Sequence, residues 1–130
     1  MLGLNGSELK ETISLSESVR RGLGEIADAK EGDFVLRRAA AKFELNVGMS
    51  IPEVVKALRR LESAIEEGDV SGYSEASDMI DSVVDYLVVV IGMLDSTPNR
   101  GGGARLRLEH LRRDAGRLAQ YICQLTEAAV

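Results

Sequence analysis

Near the C-terminal end of the chain, Leu108, Leu111, Ala115, Leu118, Ile122, Leu125 and Ala129 recur at alternating intervals of three and four residues. An α-helix turns once every 3.6 residues, so this spacing lays all seven on one narrow stripe. Such a stripe is stable only when other helices cover it, as in a bundle or a short coiled coil. A second run behaves the same way: Ala76, Ile80, Val83, Leu87, Val90 and Leu94. The β-branched segment VVDYLVVVIG (83–92) lies inside that run. Its four-three spacing continues unbroken, which predicts helix rather than strand.

The remaining elements are read from their ends. Ser7 is placed to cap a helix over about 8–30, with Leu9, Ile13, Val19, Leu23 and Ile26 inward. Gly32-Asp33 reads as a stop followed by a start, and a helix over 34–47 turns Leu36, Ala39, Ala40, Phe43 and Val47 inward before Gly48 ends it. Ser50-Ile51-Pro52-Glu53 has the S-x-x-E form of a capping box, with proline in the first turn, where its missing N–H costs nothing. It opens a helix over 51–67 that turns Val54, Leu58, Leu61 and Ile65 inward. Gly68-Asp69 repeats the Gly32-Asp33 device ahead of a helix over about 70–95. Pro98 and three glycines then form a flexible loop over 97–103, and the last helix runs over about 104–129. The two "EGD" junctions, at 31–33 and 67–69, are two turns meeting the same capping requirement rather than a structural repeat.

The expected fold is therefore all-α: a four- or five-helix antiparallel (up-down) bundle, in a single domain over 1–130. Short connections are expected to make successive helices antiparallel neighbours.

Composition narrows the functional classes. The chain has one cysteine, Cys123, and one histidine, His110, too few for a zinc site or an internal disulfide. No basic, apolar leader opens the sequence and no apolar run is long enough to span a bilayer. These features point to the cytoplasm and away from membranes. Arginine outnumbers lysine twelve to four, which fits a heat-adapted source. Residues 1–96 hold ten basic and eighteen acidic residues, whereas residues 97–130 hold six and three. An acidic body thus carries a basic C-terminal element.

That element contains Arg100, Arg105, Arg107, Arg112, Arg113 and Arg117. Together with the backbone amides of Gly101 to Ala104 it is a candidate anion-binding cluster. The loop lacks the preceding strand and the terminal Lys-Ser/Thr of a phosphate-binding loop, and aromatic residues are too scattered for a nucleic-acid stacking platform. The arginines are equally suited to pairing with acids on a neighbouring helix, and the 70–95 helix is the obvious acidic neighbour.

On that helix Glu75, Asp78, Asp81, Ser82 and Asp85 occupy the outer side of the first half. In the second half the same side carries Val89 and Met93, flanked by Tyr86 and Val88. A helix apolar all round is either central in its own bundle or covered by another chain. Tyr86, Val88, Val89 and Met93 are therefore candidate protein-interface residues.

Three short stretches resemble known families. Glu62, Glu66, Glu75 and Asp78, with Glu75-Ala76-Ser77-Asp78 as an E-x-x-D element, resemble the magnesium site of all-α nucleotide pyrophosphohydrolases of the MazG type. The resemblance covers residues 62–78, with Ser63 in place of one expected glutamate, and implies a magnesium-dependent nucleotide hydrolase. His110 with Leu111-Arg112-Arg113-Asp114-Ala115-Gly116 resembles the helix of histidine phosphotransfer domains, with Asp114 where those domains carry glycine. Ala64-Ile65-Glu66-Glu67-Gly68-Asp69 and Leu94-Asp95 resemble turns of flagellar export chaperones.

The expected function is a non-enzymatic helical protein–protein interaction module, a small subunit or adaptor that self-associates through the surfaces of the last two helices. No cofactor is implied. The alternatives are an anion- or nucleic-acid-binding protein using the C-terminal arginines, and the magnesium-dependent pyrophosphohydrolase.

Overall fold

A computed structural model describes residues 6–28, 34–68, 73–95 and 102–129. It contains five α-helices: α1 (Gly6–Ala27), α2 (Phe34–Val47), α3 (Ile51–Glu67), α4 (Tyr73–Asp95) and α5 (Gly102–Ala129). There is no strand among the described residues, and the valine-rich stretch 83–92 is helical throughout. The all-α bundle expected from the apolar spacing is what the chain forms.

Local chemistry sets the helix ends. Ser50 takes an extended conformation, with φ −71° and ψ 159°, and its Oγ accepts from the Glu53 amide at 3.3 Å. The Ser50 hydroxyl in turn donates to Glu53 Oε1 at 3.0 Å. The helix closes at Gly68, whose φ of 72° is left-handed and whose N–H bonds back to Ile65 at 3.2 Å. A side chain would be strained there. Gly32, Asp33 and Asp69 lie outside the described residues.

The ends of two helices shift from expectation. α1 begins at Gly6, so Ser7 lies inside the helix instead of capping it. Residues 70–72, the expected start of α4, lie outside the described residues. α5 begins at Gly102, so two glycines assigned to the loop form its first turn. First-turn amides have no intrahelical acceptor, and glycine is tolerated there.

Four long helices build the core, with Val19 and Leu23 of α1, Leu58 of α3, Ile80 and Leu87 of α4, and Leu108, Leu118, Ile122 and Leu125 of α5 fully buried. α4 and α5 share the most extensive interface, and α1 packs along α5 and α3. The short-connection argument accounts for the α4/α5 pair. The chief partners of α1, however, are not its neighbour in sequence. α1 and α5 run antiparallel, because Glu11, Ser18 and Gly22 meet Tyr121, Asp114 and Leu111 in that order. At Gly22 the two helices approach closely: a Cβ would lie 2.8 Å from Leu111 Cδ1.

Two contacts that sequence periodicity did not anticipate fix the pairings. The apolar face of α1 includes Thr12 and Ser16. Ser16 donates to Glu62 Oε2 at 2.7 Å, and Arg20 grips the same carboxylate through Nε at 2.7 Å and a terminal guanidinium nitrogen at 2.8 Å. Glu62 is therefore a buried structural acid joining α3 to α1. Its hydrogen bond raises the Arg20 pKa further. The shorter α2 packs on α4 and α1. Phe43 there meets Tyr86 edge-on, with ring centroids 4.9 Å apart at 74°.

Candidate interaction surface on α4 and α5

The sequence-derived interface residues do not all lie on the surface. Tyr86 is only 2% exposed. Its hydroxyl donates to the Ala39 carbonyl, and burial pushes its pKa well up. It belongs to the core because α2 covers that side of α4, a placement the amphipathic pattern of α4 alone does not reveal. Val88 and Val89 are exposed, at 50% and 54%. The Met93 side chain lies outside the described residues.

The outer stripe of α4 is acidic, as expected. Glu75, Asp78, Asp81 and Asp85 are all exposed. Among the described residues, none of their carboxylates joins an ion pair or a hydrogen bond. Of the two roles open to the α5 arginines, pairing with these α4 acids is not found among the described residues. Arg117 binds Glu11 of α1, which also accepts from Tyr121 at 2.8 Å. That bond raises the Tyr121 pKa. Arg105 Nε lies 3.2 Å from Glu109, one turn along its own helix. Arg107, Arg112 and Arg113 are exposed and pair with no described residue. Arg100 lies outside the described residues.

The reason is where the arginines stand on α5. Asp114 and Tyr121 mark the side that faces α1, and Arg117 falls on it. Arg112 stands on the opposite side, toward α4, while Arg113 points outward between the two. There an open depression of about 660 Å³ lies over the outer face of α5. Val84 is its one lining residue from α4, and Leu106, Arg112 and Arg113 are among those from α5. Leu106 is 54% exposed, and Gly116 adds no side chain to the floor. Val88 follows Val84 by one helical turn on the same side of α4. The rest of the depression's lining is polar: Glu109, His110, Arg117 and Gln120, of which Glu109 pairs with Arg105 and Arg117 with Glu11. Leu106, exposed on the outer face of α5, was missed in the sequence because it lies opposite the leucine stripe that dominates the pattern.

A smaller polar crevice of about 230 Å³ lies between α1 and α5, lined in part by Arg21, Glu25, Arg107, His110 and Asp114. Ser18 donates to Asp114 at 2.8 Å. The residue standing at the glycine position of a phosphotransfer helix is therefore engaged in helix packing.

The candidate metal ligands do not come together. Glu62 faces α1 and is held by Arg20 and Ser16, whereas Glu66, Glu75 and Asp78 are exposed. No group of three or more potential ligands clusters among the described residues. His110 and Cys123 stand thirteen residues apart on one helix, about 20 Å along its axis, too far to form a nucleophile–base pair.

Comparison with protein-family models, curated proteins and solved structures returns no match. Among the described residues, no helix is long and apolar enough to cross a membrane.

Proposed function

We propose that this chain is a non-enzymatic helical interaction module that self-associates through the α4/α5 surface. The observation that carries the reading is the pair of exposed valines on α4, Val88 and Val89, with exposed Asp81 and Asp85 on the same helix and exposed Arg112 and Arg113 on α5 that have no partner among the described residues. Scattered single apolar residues are ordinary on a protein surface, whereas neighbouring exposed valines suit a contact with another chain. The acidic stripe of α4 borders the same surface. Solution mass tests the reading: the wild type is expected to exceed the 14.1 kDa of one chain, and Val88→Glu to reduce it. A wild type that stays at 14.1 kDa at every concentration rejects it.

A second reading is favoured by one observation: among the described residues, Arg107, Arg112 and Arg113 have no partner. These residues suit an anionic ligand or nucleic acid. Titration with labelled RNA and DNA at two salt concentrations tests it, with salt-sensitive binding expected and no binding rejecting it.

A further inference from the structure

Gly22 lets α1 approach α5 closely, with the Leu111 side chain against it. Arg21 directly precedes that glycine, while His110 directly precedes Leu111 and Arg107 stands one turn before it. All three line the crevice of about 230 Å³ between the two helices. Each is exposed, and none pairs with a described residue. Two acids share the crevice. Asp114 already accepts from Ser18 at 2.8 Å. Glu25 is exposed and has no partner among the described residues. Two guanidiniums and an imidazole are thus set against one uncommitted carboxylate. Like charges gathered without partners repel, and an anion seated among them removes that repulsion.

We propose that this crevice binds a small tetrahedral oxyanion, a phosphate group, held noncovalently by Arg21, Arg107 and His110. The site rests on the anion-binding reading above, with which it shares Arg107, and adds its location and the class of anion. Size limits the ligand: sites for drug-sized molecules span about 300–1,000 Å³, and this crevice is smaller. Chemistry selects phosphate over carboxylate. The fork of N–H groups on arginine matches both anions. A carboxylate, however, offers its two oxygens in one plane, whereas a phosphate group directs oxygens several ways and can take donors from two helices at once. No aromatic side chain lines the crevice, so nothing there holds a nucleobase by stacking.

Isothermal titration calorimetry of the full chain with inorganic phosphate, at low ionic strength, tests the site. The wild type is expected to bind phosphate and not to bind acetate under the same conditions. Arg21→Gln and Arg107→Gln are each expected to weaken phosphate binding about ten-fold, through loss of one charge-assisted pair. Arg59 is an exposed arginine of α3 outside the crevice, and Arg59→Gln is expected to bind as the wild type does. Glu25→Gln removes the opposing carboxylate and is expected to tighten binding. Far-UV circular dichroism checks helicity; where an arginine variant loses it, the gain in Glu25→Gln decides, and no gain there overturns the site. A wild type that takes up no phosphate overturns it, and so does equal weakening in all three arginine variants, the mark of diffuse attraction. Acetate that binds as tightly as phosphate overturns the tetrahedral selection. If phosphate does not bind but salt-sensitive RNA or DNA binding survives in Arg21→Gln, the crevice is rejected and the wider anion reading stands on Arg112 and Arg113. Absence of both rejects the two together.

Discussion

Glu62 shows how one side chain can look functional and be structural. It is an acid on the apolar face of α3, one turn after Leu58, and both its oxygens are bound by Arg20, with Ser16 on one of them. Removing one partner strands the other in a largely desolvated site. Glu62→Ala is expected to cost about 1–3 kcal/mol in chemical denaturation, the lower part of the usual range because Arg20 retains some solvent contact. Replacing both Arg20 and Glu62 by methionine is expected to recover most of that loss. Two glycines give the converse case. Gly116 is helical with open space around it, so Gly116→Ala is expected to stabilise by about 0.5–1 kcal/mol. Gly22→Ile drives a branched side chain into Leu111 and is expected to destabilise by about 1–3 kcal/mol. Tyr86 links stability to pH. Its folded pKa is raised above the ordinary phenol value by burial. The unfolded chain therefore loses this proton first, and stability falls as pH rises above about 10. Tyr121 contributes in the same direction. Tyr86→Phe is thus expected to flatten, without abolishing, the alkaline loss seen in thermal melts.

At the scale of elements, helices with one wet side are the ones their sequences describe well. α3 is the clearest: its capping serine, its proline, its inward Val54, Leu58, Leu61 and Ile65, and its closing Gly68 all stand where spacing and turn chemistry put them. Ser50→Ala is expected to lower stability by about 1 kcal/mol, read from the denaturation midpoint. α1 is less legible, because Thr12 and Ser16 sit on its buried face and look polar in any hydrophobic pattern. A hydroxyl becomes a core residue only when a partner such as Glu62 satisfies it, and that partner lies 46 residues away in sequence. The same limit applied to the candidate surface. The acidic stripe and the exposed valines of α4 follow from its own periodicity. The burial of Tyr86 does not, since it depends on α2 folding over that side.

For the whole molecule, the pairing of helices decides which charges meet. The basic segment and the acidic α4 are both plain in the composition, and they do lie on adjacent helices. The arginines of α5 nevertheless divide: Arg117 pairs with Glu11 of α1, Arg105 with Glu109 of its own helix, and Arg112 and Arg113 with no described residue. That division leaves exposed charges of both signs on the same pair of helices as the exposed Val88 and Val89. The central claim is that the α4/α5 face joins two copies of the chain. Sedimentation equilibrium of the full chain, from micromolar to near-millimolar concentration, tests it most directly. The account predicts an average mass that climbs from 14.1 kDa toward the dimer with rising concentration, and a Val88→Glu variant that stays near the monomer. A wild type fixed at 14.1 kDa throughout, or a Val88→Glu variant that associates as readily as wild type, contradicts it.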